Sequence, residues 1–119
     1  MLSRFFALLL CAPCIALAQY PSQPVRVVVG FPPGGTTDVI GRLVAQGLGE
    51  RMGKSFVVEN RGGASGSIGA AGVAKAAPDG YTLLMAIDST LTMNQFLYRS
   101  LPYDPINDFA PITSVTKTV

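Results

Sequence analysis

VRVVVGFPPGGTTD, residues 25–38, is the stretch that decides the fold of this chain. Its valine run, interrupted only by Arg26, predicts a strand from Val25 to Gly30 that is buried on both faces. The Pro-Pro-Gly-Gly turn that follows leads into Thr36-Thr37-Asp38, a pattern typical of a helix start. A strand that hands over to a helix in this way directs backbone N–H groups and the positive helix end at one point. The turn itself, residues 31–38, contains no Lys, Arg or His, so it predicts an uncharged cradle for an anion.

The same order of strand, turn and helix recurs twice further along the chain, and the turn at residues 60–69 is again rich in glycine. The predicted elements are a first helix running to Met52 with Thr36 or Thr37 as N-cap and Gly53 as its stop, strands at Ser55–Glu59 and Tyr81–Ile87, helices at Ala70–Ala77 and around Leu91–Leu97, and a fourth strand from Ile112. Glycines inside the first helix predict close packing on the sheet.

Strands that alternate with helices predict an α/β fold, with a parallel sheet built from βαβ units and helices on both faces. In such sheets ligands bind at the carboxyl ends of the strands. The turns at residues 31–38, 60–69 and 88–90 all follow strands, so they are expected at the same edge.

Residues 1–18 are predicted to be a cleaved secretory signal. A basic residue precedes an apolar run, Phe5–Leu17, and Ala16-Leu17-Ala18 has the small-residue pattern of a cleavage site. The apolar run is shorter than the about 20 residues that a membrane span needs. Both cysteines, Cys11 and Cys14, lie within this segment, so residues 19–119 contain no thiol for a disulfide, a nucleophile or a metal.

Composition excludes several classes of function. The net charge is +2 and there is no His, so the commonest general base and metal ligand is missing. Basic residues are not clustered, which argues against nucleic acid as a partner. The phosphate-binding pattern G-x-x-x-x-G-K-[ST] would need Lys where Thr36 stands. The serines have no base to activate them, so we predict a binding protein, not an enzyme, with no cofactor and no metal site.

The remaining interpretation is reversible capture of a small anion by backbone amides and hydroxyl groups. The alternative is that these turns are only tight turns and helix caps, which Gly, Ser and Thr commonly build. Asp38 has two interpretations, a ligand contact or a partner of the helix dipole. Arg61 also has two, a partner for a ligand carboxylate or for Glu59.

Several motifs in fixed order resemble one family. They are Tyr20–Arg26, Gly30–Asp38, Val58–Arg61, Gly63–Gly66, Ala74–Leu84 and Leu101–Pro105. Together they resemble the Bug (TctC-type) proteins, which are periplasmic solute receptors of tripartite tricarboxylate transporters. The resemblance covers nearly all of residues 19–119.

The resemblance implies a type II periplasmic binding protein fold, in which two lobes close over a small carboxylate. Residues 19–119 would be the N-terminal part of the first lobe, with the second lobe absent from this chain. By position, the ligand-binding candidates are Phe31, Gly34, Gly35, Thr36, Thr37, Asp38, Ala64, Ser65, Gly66, Ser89 and Thr90. Asp88 departs from the small Thr/Ser/Gly run that relatives carry in the third loop.

The function that the resemblance implies is a periplasmic receptor, monomeric, that captures small carboxylates and delivers them to membrane permease subunits. Two alternatives remain open at this point: a ligand sensor that acts on a signalling partner, and a gene fragment without function. The identity of the carboxylate is not encoded in any motif of the chain.

Overall fold

The computed structural model describes residues 19–117, and the predicted signal segment lies outside these residues. The strands are β1 (Val25–Val29), β2 (Phe56–Asn60) and β3 (Thr82–Met85), and the helices are α1 (Thr36–Met52), α2 (Ser67–Ala74), α3 (Asp88–Thr92) and α4 (Asn94–Leu97). A single 3-10 turn, Ala64–Gly66, precedes α2. Within the described part of the chain no helix has both the length and the apolar character required to cross a membrane.

The strands form one parallel sheet in the order β2-β1-β3, which confirms the predicted α/β class. In this register Val27 of β1 lies between Val58 of β2 and Leu83 of β3. Val25 and Val29 at the two ends of β1 are both 0 % exposed. The valines at positions 25 and 27–29 therefore form the buried part of the central strand, because a strand whose two faces are both covered favours apolar residues at successive positions, and Arg26 is its exposed exception.

Helix α1 packs on the sheet through small residues. Gly41 and Ala45 are buried, and a Cβ at Gly41 would lie 3.1 Å from Cγ2 of Val29. Leu43, in contrast, is 64 % exposed. The predicted close approach of helix and sheet is thus confirmed at Gly41, whereas a Cβ added at Gly47 would meet no atom within 4 Å.

The ends of α1 test two capping predictions. Gly53 adopts a left-handed conformation with φ of 70° and donates its N–H to Gly49, which confirms it as the helix stop. The N-cap is Gly35, so the prediction of Thr36 or Thr37 was wrong. Gly35 has extended backbone and its carbonyl accepts the first helical hydrogen bond from Val39 at 3.0 Å. No side chain caps the start of α1. A cap made by the backbone alone cannot be recognised from the positions of Ser and Thr in the sequence.

Three other predictions differ from the structure. Helix α2 begins at Ser67, before the predicted start at Ala70, because Ser67 and Gly69 are buried against neighbouring loops. Residues 112–117 form no strand, since the described sheet consists of β1, β2 and β3 and this segment pairs with none of them. The predicted helix around Leu91–Leu97 is two short helices, α3 and α4.

A small core lies beneath α2. Ala70, Ala71 and Tyr103 are buried, with Leu84 and Phe109 packed against them. The rings of Tyr103 and Phe109 meet edge to face with centroids 5.7 Å apart. This core fixes the segment after α4 against the sheet, and it places the Tyr103 hydroxyl near the loops described next.

Candidate ligand-binding site

Three loops meet at the carboxyl edge of the sheet, as the strand order predicts. The first loop (residues 30–35) follows β1, the second loop (residues 61–66) follows β2, and the third loop (residues 86–87) leads from β3 into α3. Gly66 marks the meeting point, since a Cβ there would lie 2.7 Å from Oγ1 of Thr90 and 3.3 Å from Cε2 of Phe31. A Cβ at Gly30 would lie 2.9 Å from Cα of Gly66. Only glycine allows the loops to approach this closely.

The first loop presents its candidates to solvent. Gly34, Gly35 and Thr36 are exposed, and Thr37 is half-buried in the first turn of α1. Gly34 has φ of 86°, a left-handed conformation that favours glycine. Its N–H donates to Oδ2 of Asp38 at 2.9 Å, so that amide stabilises the loop itself. Hydroxyl and amide donors of the following residues remain at the surface beside it.

Asp38 is the central group beneath the first loop. Its side chain is 3 % exposed, and Oδ2 also accepts a hydrogen bond from Nε of Arg42 at 3.0 Å. Nδ2 of Asn60 donates to Oδ1 of Asp38 at 2.8 Å and to the carbonyl oxygen of Phe31 at 3.0 Å. The carboxylate therefore joins the first loop to the end of β2, and both of its oxygens are occupied within the protein.

The charge of Asp38 is strongly favoured in this setting. The Arg42 hydrogen bond, followed by those from the Gly34 amide and Asn60, lowers the pKa of Asp38 from 3.8 to about 2. Hydrogen bonds to an ionised carboxylate favour the ionised form. Asp38 thus remains an anion at neutral pH, and its charge is compensated by Arg42 before any ligand arrives.

The second loop has an unusual backbone. Gly63, Ala64, Ser65 and Gly66 all have positive φ, with values of 127°, 48°, 54° and 85°. The carbonyl oxygen of Ser65 accepts hydrogen bonds from Oγ1 of Thr90 at 3.1 Å and, from α4, Nδ2 of Asn94 at 3.0 Å. Ala64 and Ser65 are exposed, whereas Gly66 is buried.

The third-loop candidates lie in the first turn of α3. Ser89 is half-buried and Thr90 is buried, and the hydroxyl group of Tyr103 donates to the Thr90 carbonyl. Asp88 is exposed as the first residue of α3, where a carboxylate is favoured by the helix dipole. The helix start accounts for the acid that departs from the family pattern.

Arg61 forms an ion pair with Glu59, which was one of the two partners that the sequence allowed. The ion pair measures 2.6 Å, and Arg26 binds the other oxygen of Glu59 at 2.7 Å. Arg26 and then Arg61 lower the pKa of Glu59. Arg61, the cation of the second loop, is therefore already paired with Glu59. In the described residues no group of His, Cys, Asp and Glu is arranged to hold a metal ion.

Sequence reasoning missed three residues that support this site: Arg42, Asn60 and Asn94. Asn60 ends β2 at the same sheet edge as the loops, so its position alone could have marked it. Arg42 lies one helical turn after Asp38, a spacing that favours an ion pair. Asn94 carries no such local signal, because its partners are brought to it only by tertiary packing.

The comparison with protein families identifies the group to which the chain belongs. Residues 40–119 match the family described as "Tripartite tricarboxylate transporter family receptor". The chain belongs to this family. The predicted resemblance is thereby confirmed, and the family is one of receptors for transport, not an enzyme class.

Curated relatives agree with this assignment. The chain is 48 % identical over 120 residues to a UPF0065 protein of Agrobacterium vitis, covering 97 % of this chain and 34 % of the relative. It is 42 % identical over 102 residues to protein BugT of Bordetella pertussis, covering 85 % of this chain and 31 % of BugT. The chain therefore spans about a third of the length of these relatives.

Solved structures with a similar fold include ligand complexes. MatC from Rhodopseudomonas palustris, with bound malate, has a TM-score of 0.73 at 39 % identity, over 77 % of this chain and 31 % of MatC. An adipate-bound R. palustris protein has a TM-score of 0.71 at 45 % identity, over 73 % of this chain and 29 % of that protein. These likenesses confirm the fold class, since the similar proteins include periplasmic binding proteins.

Proposed function

We propose that this chain is the N-terminal part of the first lobe of a periplasmic receptor that captures small carboxylates for a tripartite tricarboxylate transporter. The observation that carries the proposal is the convergence of three loops at one sheet edge, where Gly66 lies against both Phe31 and Thr90. Family membership and the malate and adipate complexes of similar proteins support the ligand class.

The chemistry of the first loop suits a carboxylate. Directly after it lie the hydroxyl groups of the exposed Thr36 and the half-buried Thr37, together with the backbone amides at the start of the 17-residue helix α1. Hydrogen bonds from neutral donors to an ionised acceptor are stronger than those between neutral groups, and the helix dipole adds to them. A site built from neutral donors holds an anion without a salt bridge, which favours release to a transporter.

The second and third loops complete this side of the site. Ala64 and Ser65 are exposed next to the buried Gly66, and Ser89 and Thr90 lie in the adjacent turn of α3. We assign Phe31 the role of an apolar wall, because its ring lies against Gly66. Asp38 would act from beneath the loop, since Gly34, Arg42 and Asn60 occupy its oxygens.

The rest of the proposal concerns the whole protein. Residues 1–18 would direct export and be removed, the second lobe would close over the ligand, and membrane permease subunits would receive it. The protein would act as a monomer in the periplasm. Periplasmic proteins among the similar structures support this location.

The first experiment is an NMR titration of residues 19–119 with adipate and with malate. We expect amide signals of the first and second loops to shift together, with saturation at millimolar ligand. Hexane-1,6-diol is the matched control, because it keeps the carbon chain of adipate and lacks its charges. Absence of loop shifts with every acid tested, in a folded sample, would contradict the proposal.

A pair of glycine variants localises the binding. Gly34→Ala places a side chain at φ of 86°, which strains the first loop, and we expect weaker binding of adipate. Gly47→Ala is the control, since it lies in α1 with no atom within 4 Å of the added carbon. Equal affinities for the two variants would place the ligand away from the first loop.

A further inference from the structure

The second loop holds two residues in a conformation that they do not favour. Ala64 and Ser65 have φ of 48° and 54°, although neither is glycine. A left-handed conformation at a residue with a side chain is unfavourable and persists only where the surrounding structure imposes it. The groups that impose it here are identified by the hydrogen bonds of the Ser65 carbonyl.

Two buried side chains donate to that carbonyl. Thr90 is 1 % exposed and Asn94 is 0 % exposed. Their donor atoms, Oγ1 and Nδ2, lie 3.1 Å and 3.0 Å from the Ser65 oxygen. Nδ2 of Asn94 also donates to Oγ of Ser67 at 2.9 Å. Asn94 therefore binds the chain on both sides of Gly66, the residue at which the three loops meet.

The orientation of the Asn94 amide follows from these partners. The Ser65 carbonyl can only accept, so the amide must present its NH₂ group and not its oxygen. Its Oδ1 is buried without a hydrogen-bond partner among the described residues. A buried acceptor left unpaired lowers stability. The Asn94 side chain thus stabilises the second loop only through the two hydrogen bonds that its NH₂ group donates.

We propose that Asn94, together with Thr90, is a positioning residue that holds Ser65 in its left-handed conformation and so shapes the second loop for the ligand. Asn94 does not contact the ligand in this proposal. It keeps Ala64 and Ser65 exposed while Gly66 lies against Phe31. The effect on ligand affinity rests on the function proposed above, whereas the effect on the backbone does not.

The test uses the chain with Asn94→Leu, which keeps a similar volume and removes the donors. The first readout is taken without ligand: the Cα chemical shifts and the HN–Hα couplings of Ala64 and Ser65, which report φ. We expect both residues to leave the left-handed range. We expect the affinity for adipate to fall about five- to tenfold, the size of the lost hydrogen bond to the Ser65 carbonyl.

A second variant and a control make the test specific. Thr90→Val keeps the shape of the side chain and removes the other donor, so it should move the same signals even if Asn94→Leu fails to fold. Gln95→Ala changes the exposed neighbour of Asn94 on α4 and should leave the second loop unchanged.

Rescue separates positioning from a general loss of structure. Glycine adopts positive φ without the penalty of a side chain. In a Ser65→Gly background, Asn94→Leu should therefore change adipate affinity by less than about twofold, as expected when the two positions are coupled. A full fivefold loss in that background would contradict the proposal.

The two proposals fail in different ways. Left-handed couplings at Ser65 that survive both Asn94→Leu and Thr90→Val would overturn the positioning role, whatever the chain binds. Loss of those couplings in a chain that binds no carboxylate would support the positioning role and contradict the proposed function alone.

Discussion

Asp38 illustrates how far a single residue's role depends on its partners. The sequence allows it to contact a ligand or to face the helix dipole. In the structure it is buried, and it accepts hydrogen bonds from Gly34, Arg42 and Asn60. An ionised carboxylate with this many donors stabilises the fold by fixing the first loop to β2. Asp38, a ligand-binding candidate by position, thus lies beneath the first loop with both of its oxygens occupied.

At the residue scale, the structure predicts how the pKa of Asp38 depends on its partners. Its folded value of about 2 lies below the ordinary 3.8, so its stabilising effect is complete above that ordinary value and disappears as pH falls toward about 2. Arg42 is the largest cause of the shift. We therefore expect Arg42→Met to raise the pKa of Asp38 toward its ordinary value, as measured by NMR titration of the side-chain carboxyl carbon.

Arg51→Met is the matched control for this change. Arg51 lies in the last turn of the same helix, far along α1 from Asp38. The acid unfolding curve should shift to higher pH for Arg42→Met and remain in place for Arg51→Met. An unchanged Asp38 pKa in Arg42→Met would show that the ion pair is not what holds the carboxylate ionised.

At the scale of elements, the sequence predicts where strands and helices occur better than where they begin. The strand β1 and the stop at Gly53 follow from neighbouring residues alone. The N-cap of α1 at Gly35 and the start of α2 at Ser67 do not: Gly35 caps α1 through its backbone alone, and the loops after β1 and β2 pack against the first turn of α2 at Gly69. The absence of a strand in residues 112–117 has the same origin, since a strand needs a neighbour.

Gly47 and Gly66 differ in the same way: Gly47 lies in a helix with open space around it, whereas Gly66 lies where loops meet. This difference predicts opposite effects of alanine on stability. Gly47→Ala should stabilise the chain by about 1 kcal/mol, because alanine favours the helix and finds open space. Gly66→Ala should destabilise it by about 3 kcal/mol, since φ is 85° and the new Cβ would lie 2.7 Å from Oγ1 of Thr90. Urea unfolding of the two variants measures both effects, and changes of the same sign would be inconsistent with this packing.

At the scale of the whole molecule, the chain spans about a third of the length of its curated relatives. The three loops and the polar groups that support them all lie within residues 19–117. We propose that the opposite wall comes from a second lobe. The exposed position of Ala64 and Ser65 fits a surface that meets a ligand from one side.

Export is the prediction at this scale. When the whole chain is expressed in a Gram-negative host, we expect the periplasmic product to begin at Gln19, because Ala16 and Ala18 form the small-residue cleavage pattern. N-terminal sequencing and intact mass give the answer directly. Ala18→Arg should leave the segment attached, whereas Ser22→Ala, beyond the pattern, should be processed normally. A periplasmic product that retains residues 1–18 would contradict the signal.

The sequence by itself determined the α/β class, the family and the three loops at one edge, because each depends on residues close together in the chain. A valine run, a glycine turn and a helix pattern carry that information locally. Only the tertiary structure decided what Asp38 and Asn94 do. Their partners Asn60 and Ser65 lie 22 and 29 residues away in the sequence, and a hydrogen bond depends on distance in space.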